Sequence, residues 1–134
     1  MGLPAIIFRP TLILSMHPRS RWGPGAVARA RQADRCLLPF RQIPYVHVDN
    51  LVQAIALAAH AAAGMKDGRA FNVAEGAGDT AAYLAAVHGA AGRPVLPPPT
   101  DAPLLRYPAD RIRRELPWAP LDRWSGFLRE LRAY

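Results

Sequence analysis

The side chains with which this chain could do chemistry gather around Tyr45-Val46-His47-Val48-Asp49-Asn50. His47 follows Tyr45 by two residues on one strand face, but no partner nucleophile can be named for it. Its reading is therefore a hydrogen-bonded histidine that fixes a strand-to-helix turn, ahead of any acid/base role. Asp49 reads as a helix cap before it reads as a catalyst. His17, His47, His60 and His88 are too scattered for a metal-ligand pair at helical spacing. Cys36 is the single cysteine, which excludes an intrachain disulfide and leaves a thiolate metal site without ligands. Ser15, Ser20 and Ser125 have no identifiable base, and no Gly-x-Ser-x-Gly elbow occurs.

The elements that must position these groups can be read from periodicity. Ile43 to Ala59 holds a strand, a cap and a helix in succession: Tyr45 to Val48 are strand formers after a proline, and Asp49 offers its carboxylate to the first free N–H groups of a helix. Leu51, Ile55, Ala58 and Ala62 fall on one face of that helix, which is expected to stop at Gly64. Leu3 to Phe8 reads as a buried strand of a parallel sheet, closed by Arg9-Pro10, and such a strand needs neighbours that this chain supplies in too small a number. Trp22-Gly23-Pro24-Gly25 marks a turn and Ala26 to Arg35 a helix, with Cys36 to Phe40 leading toward the central block. Arg69 to Ala74 alternates as a strand, Glu75 to Asp79 forms a turn, and Thr80 caps a helix ended by Gly92 and Pro94. Pro94 to Pro103 contains five prolines and reads as an extended connector. Asp110 to Leu116 fits a short helix over Trp118, and Asp122 caps a last helix carrying Trp124, Phe127, Leu128 and Leu131.

Length and composition bound the answer. The chain has 134 residues, 51% of them hydrophobic, which suits one folded domain with a modest core. No apolar run approaches the roughly 18 residues that suggest a membrane span. Met1 to Phe8 has no basic region of the secretory kind, so a cytoplasmic location is expected. The net charge of +7 raises the possibility of a nucleic-acid partner. Yet the basic residues run from Arg9 to Arg132, and all but Lys66 are arginines, so they read as solvated faces rather than a designed patch.

Four stretches in order carry a family resemblance. Tyr45 to Ile55 (Tyr-Val-His-Val-Asp-Asn-Leu-Val-Gln-Ala-Ile) is flanked by Gly2 to Pro10 (Gly-Leu-Pro-Ala-Ile-Ile-Phe-Arg-Pro), Gly68 to Glu75 (Gly-Arg-Ala-Phe-Asn-Val-Ala-Glu) and Pro108 to Pro120. Together they resemble the second half of the extended short-chain dehydrogenases/reductases, the NAD-dependent epimerase/dehydratase family. The resemblance implies an α/β, partial Rossmann-like fold made of closing strands and helices, with a small C-terminal substrate-binding lobe. Residues 1–93 would be the Rossmann-like part, and residues 94–134 the proline-rich connector and lobe. The sequence departs from the family between Arg9-Pro10 and Trp22-Gly23-Pro24-Gly25, where an extra segment intervenes. Either that segment is an inserted loop or the Gly-Pro-Gly match is coincidental. Asn50 stands where the family more commonly has a second Asp, and Pro117 where it has Gly.

The resemblance also assigns roles. Backbone just after the Arg-Pro pair lies near the nicotinamide of NAD or NADP, which makes Pro10 and Leu12 the cofactor-binding candidates. In members acting on nucleotide sugars two arginines reach the diphosphate; Arg41 and Arg106 are the candidates, a task suited to a bidentate guanidinium. The family's Gly-x-x-Gly-x-x-Gly turn and Tyr-x-x-x-Lys pair are both missing, and the sole lysine, Lys66, has Ala62 and Ala63 where a tyrosine would stand. No catalytic or metal residue is therefore assigned, and the chain alone is expected neither to bind the dinucleotide nor to turn over. Its expected partners are a small-molecule substrate, including nucleotide sugars, and either a missing N-terminal Rossmann half or a second copy. The rival reading is a stand-alone basic module for RNA or another anionic partner, in which Leu3 to Phe8 would have no missing neighbours.

Overall fold

The structure is a computed structural model, and it describes residues 5–32, 38–65, 68–95 and 97–134. Strand β1 (Ile6–Pro10) pairs in parallel with β4 (Arg69–Val73), Ile6 opposite Arg69 and Pro10 opposite Val73. A second sheet has β3 (Gln42–His47) at its centre, parallel to β2 (Leu12–Leu14) and antiparallel to β5 (Gly76–Asp79). Thr11 is the single residue between β1 and β2, and its N–H (3.2 Å) and Oγ1 (3.3 Å) both meet the carbonyl of Val73. Helices α1 (Pro24–Gln32), α2 (Val48–Ala61), α3 (Thr80–Ala91), α4 (Asp110–Glu115) and α5 (Trp124–Arg132) complete the fold.

Alternation along β3 divides the interior in two. Ile43 and Tyr45 face a first core with Leu14, Val27, Tyr83, Leu84, Val87, Phe127, Leu128 and Leu131, closed by α1, α3 and α5. Val46 faces the other way, into a second core with Ala54, Ala58, Phe71, Val73, Ile112, Leu116 and Trp118, under α2 and α4. Successive strand residues point to opposite faces, so one short strand serves both cores. The chain beyond the proline connector is shared between them, α4 lying in the second core and α5 in the first.

Most of the expected elements are present, with specific differences. Helix α2 starts at Val48, so Asp49 lies inside the first turn, and the cap is His47, whose Nδ1 accepts the Asp49 N–H at 3.3 Å. Its buried residues are Asn50, Ala54 and Ala58, and Ile55 is exposed because the buried stripe is rotated from the expected one. Residues 76–79, expected as a turn, form β5, since the exposed edge of β3 offers a ladder to them. Asp79 caps α3, accepting the Ala81 N–H at 3.1 Å, while the buried Thr80 Oγ1 has no hydrogen-bond partner among the described residues. Gly92 ends α3 in a left-handed conformation at φ 66°, as expected of a C-terminal glycine. Helix α1 begins two residues early, at Pro24, whose fixed φ suits a first turn. Residues 33–37, with Cys36, and residues 66–67, with Lys66, lie outside the described residues.

Strand β1 differs most from its expected burial. Leu3 and Pro4 lie outside the described residues, Ile6 and Phe8 are half-buried, and Ile7 is 48% exposed. Among the described residues β1 has β4 as its only strand neighbour, so its other edge carries unpaired N–H and C=O groups beside an apolar side chain. Such an edge is a template for pairing with another chain. The purified chain is expected to sediment as a self-associated species, and Ile7→Lys to shift it toward monomer. Identical sedimentation of the two would show that this edge does not drive association.

Candidate functional site

The two sheets and the C-terminal segment meet at one carboxylate. Glu75 sits where β4 passes into β5, with its N–H on the Tyr45 carbonyl at 2.9 Å. Its Oε2 accepts the His47 N–H at 2.8 Å and the Asn50 side-chain amide, and its Oε1 accepts the Arg123 N–H at 3.3 Å. Asn50, buried, also donates to the Leu121 carbonyl (2.7 Å) and accepts the Leu121 N–H (3.2 Å), while its own carbonyl takes Trp118 Nε1 at 3.0 Å. Tyr45 donates its hydroxyl to Asp122 Oδ1 at 3.2 Å, and the same oxygen accepts the Trp124 N–H at 3.0 Å. Asp122 thus meets the first N–H of α5 from one residue outside the cap position, which is held by Arg123 and not by the expected Asp122, and His47 fixes the strand-to-helix turn.

Two open clefts share a wall over this junction. One, of about 570 Å³, is lined by Gln42, Pro44, Leu104, Leu105, Arg106, Tyr107, Asp110 and Arg113 together with Glu75, Gly76 and Ala77. The other, of about 580 Å³, is lined by Tyr45, Trp118, Ala119, Pro120 and Asp122 with the same Glu75, Gly76, Ala77 and Arg113. Both fall in the size range of small-molecule sites. Arg113 stands between them, its Nη2 on the Glu75 carbonyl at 3.0 Å and its guanidinium 5.3 Å from the Trp118 ring centre. The clefts offer guanidinium groups beside aromatic and apolar walls, an arrangement that suits an anionic group carried on a flat or apolar body.

The four residues assigned through the resemblance fall in two places. Arg106 lines the first of these clefts with Leu104 and Tyr107. Arg41 lies on the adjoining stretch, where its N–H donates to the Pro103 carbonyl at 3.1 Å and Gln42 bridges to Leu104, but it is not among the lining residues. Pro10 and Leu12 flank Thr11 at the sheet crossover; Leu12 packs against the first core, and it is Thr11 and Ile13 that open onto a third cleft. The sequence does not single out Arg113, Glu75 and Asn50 as a site. Their signal is the recurrence of acid and amide beside the His47 block, which becomes legible only once β4 and β5 are joined.

Among the described residues, side chains or backbone carbonyls meet leading N–H groups of α1, α2, α3 and α5, whereas the N-terminus of α4 carries no side-chain cap. No group of three or more His, Cys, Asp or Glu there could hold a metal ion. Among the described residues no helix is long and apolar enough to cross a membrane.

The arrangement is that of a partial Rossmann-like α/β unit, and solved structures share it. No protein-family model matches the sequence, and no curated protein matches it. The chain is similar to a candidate epimerase from Burkholderia cenocepacia (25% identity, TM-score 0.54, covering 98% of this chain and 48% of that one). It is also similar to the enzyme WbmG from Bordetella bronchiseptica, solved with NAD and UDP (15% identity, TM-score 0.57, 97% of this chain and 46% of that one). A third is the UDP-glucose 4-epimerase of Thermus thermophilus, solved with NAD (22% identity, TM-score 0.55, 98% of this chain and 45% of that one). The chain spans just under half the length of each.

Three variants test the junction. Asn50→Ala removes the buried amide that ties Glu75 to the Leu121 backbone and is expected to cost about 1–3 kcal/mol in urea unfolding. Asn50→Asp sets a second carboxylate against Glu75 and is expected to destabilise near neutral pH and recover on acidification. The Tyr45 phenol is pushed well above its ordinary value of 10.0 by burial, then by the charges of Asp122 and Glu75 and its hydrogen bond to Asp122. A phenol held neutral in the fold contributes its stability in full below its unfolded value, and that contribution is lost as pH rises beyond it. Unfolding free energy is therefore expected to fall more steeply above about pH 10 in the wild type than in Tyr45→Phe.

Proposed function

We propose that the chain is the substrate-binding portion of an NAD(P)-dependent epimerase, dehydratase or reductase acting on a nucleotide sugar or related small molecule. The observation that carries this reading is the paired cleft over Glu75, with Arg106 and Arg113 on its walls, in a unit that superposes almost entirely on less than half of longer chains. Support comes also from the order of the four sequence stretches, and from neighbours whose structures hold NAD, one of them with UDP. In this reading residues 1–93 complete a Rossmann-like sheet, and residues 94–134 form the substrate-side lobe. A cytoplasmic setting belongs to the same reading.

Arg106 and Arg113 would neutralise a diphosphate, with Arg41 at the edge of the cleft as a further contact; Tyr107, Trp118 and the Leu104-Leu105 pair would hold the apolar faces of the ligand. The backbone around Pro10 and Leu12 would pass beside the nicotinamide. NAD or NADP would take up and return a hydride, and its binding turn and the proton-transferring Tyr/Lys pair would come from a second polypeptide segment. The residues present here bind and orient substrate, and no proton or hydride step is assigned to them. The RNA-binding alternative gains no support from the basic side chains, several of which are spent on structure: Arg31 on the Ala90 carbonyl, Arg93 on that of Arg31, and Arg69 and Arg111 on Glu115. Hydrogen bonding from Arg111, with the charges of Arg111 and Arg69, holds the Glu115 carboxyl below its usual range.

Calorimetric titration with UDP-glucose is expected to show weak binding that falls roughly tenfold in both Arg106→Ala and Arg113→Ala, the loss of one charge-assisted contact each. NAD is expected to show no tight binding to the chain alone. Micromolar NAD affinity, or nucleotide-sugar binding indifferent to both arginines, would overturn the reading. Supplying a segment with the glycine turn and the Tyr-x-x-x-Lys pair is expected to restore a dinucleotide-dependent reaction.

A further inference from the structure

The segment that departs from the family pattern, between Pro10 and Trp22, is a built loop. Gly23 and Gly25 are pressed against it: a Cβ on Gly23 would lie 2.0 Å from the Ser15 carbonyl oxygen, and one on Gly25 2.5 Å from that of Ser20. Neither position accepts a side chain, so the Gly-Pro-Gly sequence serves close backbone approach. Within the loop Ser15 Oγ accepts the His17 N–H at 3.1 Å, His17 Nδ1 accepts the Arg19 N–H at 3.2 Å, and the Ser20 N–H returns to the His17 carbonyl at 2.8 Å. Trp22 is anchored through its carbonyl by the Tyr83 hydroxyl at 3.0 Å. Arg21 and Arg29 lie 5.7 and 6.0 Å from the Trp22 ring centre, and Arg29 also holds the Arg21 carbonyl at 2.7 Å.

This framework surrounds an open cleft of about 370 Å³ whose walls include Thr11, Ser15, His17, Arg19, Arg21 and Trp22. Its electrostatics are one-sided. No acidic side chain lines it, and among the described residues none of His17, Arg19 and Arg21 is in an ion pair. Because His17 Nδ1 accepts a hydrogen bond, the proton of its neutral ring sits on Nε2, which is left as a donor. The hydroxyls of Ser15 and Ser20 stand in its walls as further donors, that of Thr11 donating to the Val73 carbonyl, and Ile13 with Trp22 supplies an apolar wall.

We infer that this cleft is a second binding site, for a small molecule that carries a compact oxyanion, phosphate or carboxylate, on an apolar body. The oxyanion meets Arg19, Arg21 and His17 Nε2–H, and the body rests on Ile13 and the edge of Trp22. Charge-assisted hydrogen bonds from planar guanidinium groups favour this class of ligand over a neutral one. None of its charged residues lines either cleft over Glu75, so the oxyanion contacts do not rest on the nucleotide-sugar reading, although Thr11 on the cleft wall adjoins the Pro10 and Leu12 backbone that this reading sets beside the nicotinamide.

Amide chemical-shift titration of the full chain with phenyl phosphate and, in a second arm, benzoate tests this at constant ionic strength. Saturable shifts confined to residues 11–22 are expected, and the arm with the tighter binding identifies phosphate or carboxylate as the preferred group. Arg19→Ala with Arg21→Ala, both on exposed side chains, is expected to weaken binding at least roughly tenfold. Arg129→Ala with Arg132→Ala, which removes the same charge from α5, is expected to leave it unchanged. Equal weakening by the two double variants, or non-saturating shifts spread over all basic faces, would overturn the site. So would a short single-stranded RNA that binds more tightly than phenyl phosphate across several faces.

Discussion

A single half-buried carboxylate constrains how the parts of this chain can be assembled. Glu75 accepts the His47 N–H at the end of β3, the Asn50 amide in the first turn of α2 and the Arg123 N–H at the entry to α5. Those three donors come from positions 28, 25 and 48 residues away in sequence. A buried donor left without its acceptor costs more than the bond itself returns. The β4–β5 passage, the strand-to-helix turn and the C-terminal segment are therefore tied to one another, most strongly through the buried Asn50 amide.

Around that point the fold divides its interior rather than building one centre. β3 alternates into both cores, and the two sheets touch through single residues, Thr11 on one side and the Ala74-Glu75 passage on the other. Both clefts form where β3 and the β4–β5 passage face the C-terminal segment between Leu104 and Asp122, with Glu75 in the wall they share. The outer edge of β1 is the complementary weakness, since among the described residues only β4 pairs with it. Parallel sheets are normally buried on both faces, and this edge agrees with a unit that matches less than half of the chains it resembles.

Much of the site is legible in the sequence, though unevenly. The His47 block reads as a turn held by a histidine and is one, and Trp118 under α4 and Asp122 before α5 fall where their spacing puts them. The caps of α2 and α3 are displaced by one or two residues from the expected positions, because several residues in a row could accept the same N–H and only the backbone dihedrals select one. Residues 76–79 look like a turn because glycine, alanine and aspartate are poor strand formers, yet they become β5. The waiting ladder of β3 and the Trp124 ring, against which only a glycine fits at position 78, override their propensity.

What the sequence determined by itself is local: where helices begin and end, which strand alternates, where the prolines extend the chain, and that no glycine turn or Tyr-x-x-x-Lys pair is present. These follow from steric and hydrogen-bonding preferences that act over a few residues. Tertiary structure alone decided which charges meet. Arg113 could be read as one more solvated arginine until the fold placed it on the Glu75 carbonyl between two clefts, and the fold set Arg106 in a cleft wall with Arg41 on the stretch beside it. The Gly-Pro-Gly stretch was ambiguous until Ser15 and Ser20 were seen against it. Side-chain roles of this kind depend on distances between residues far apart in the chain, and no short-range preference encodes them.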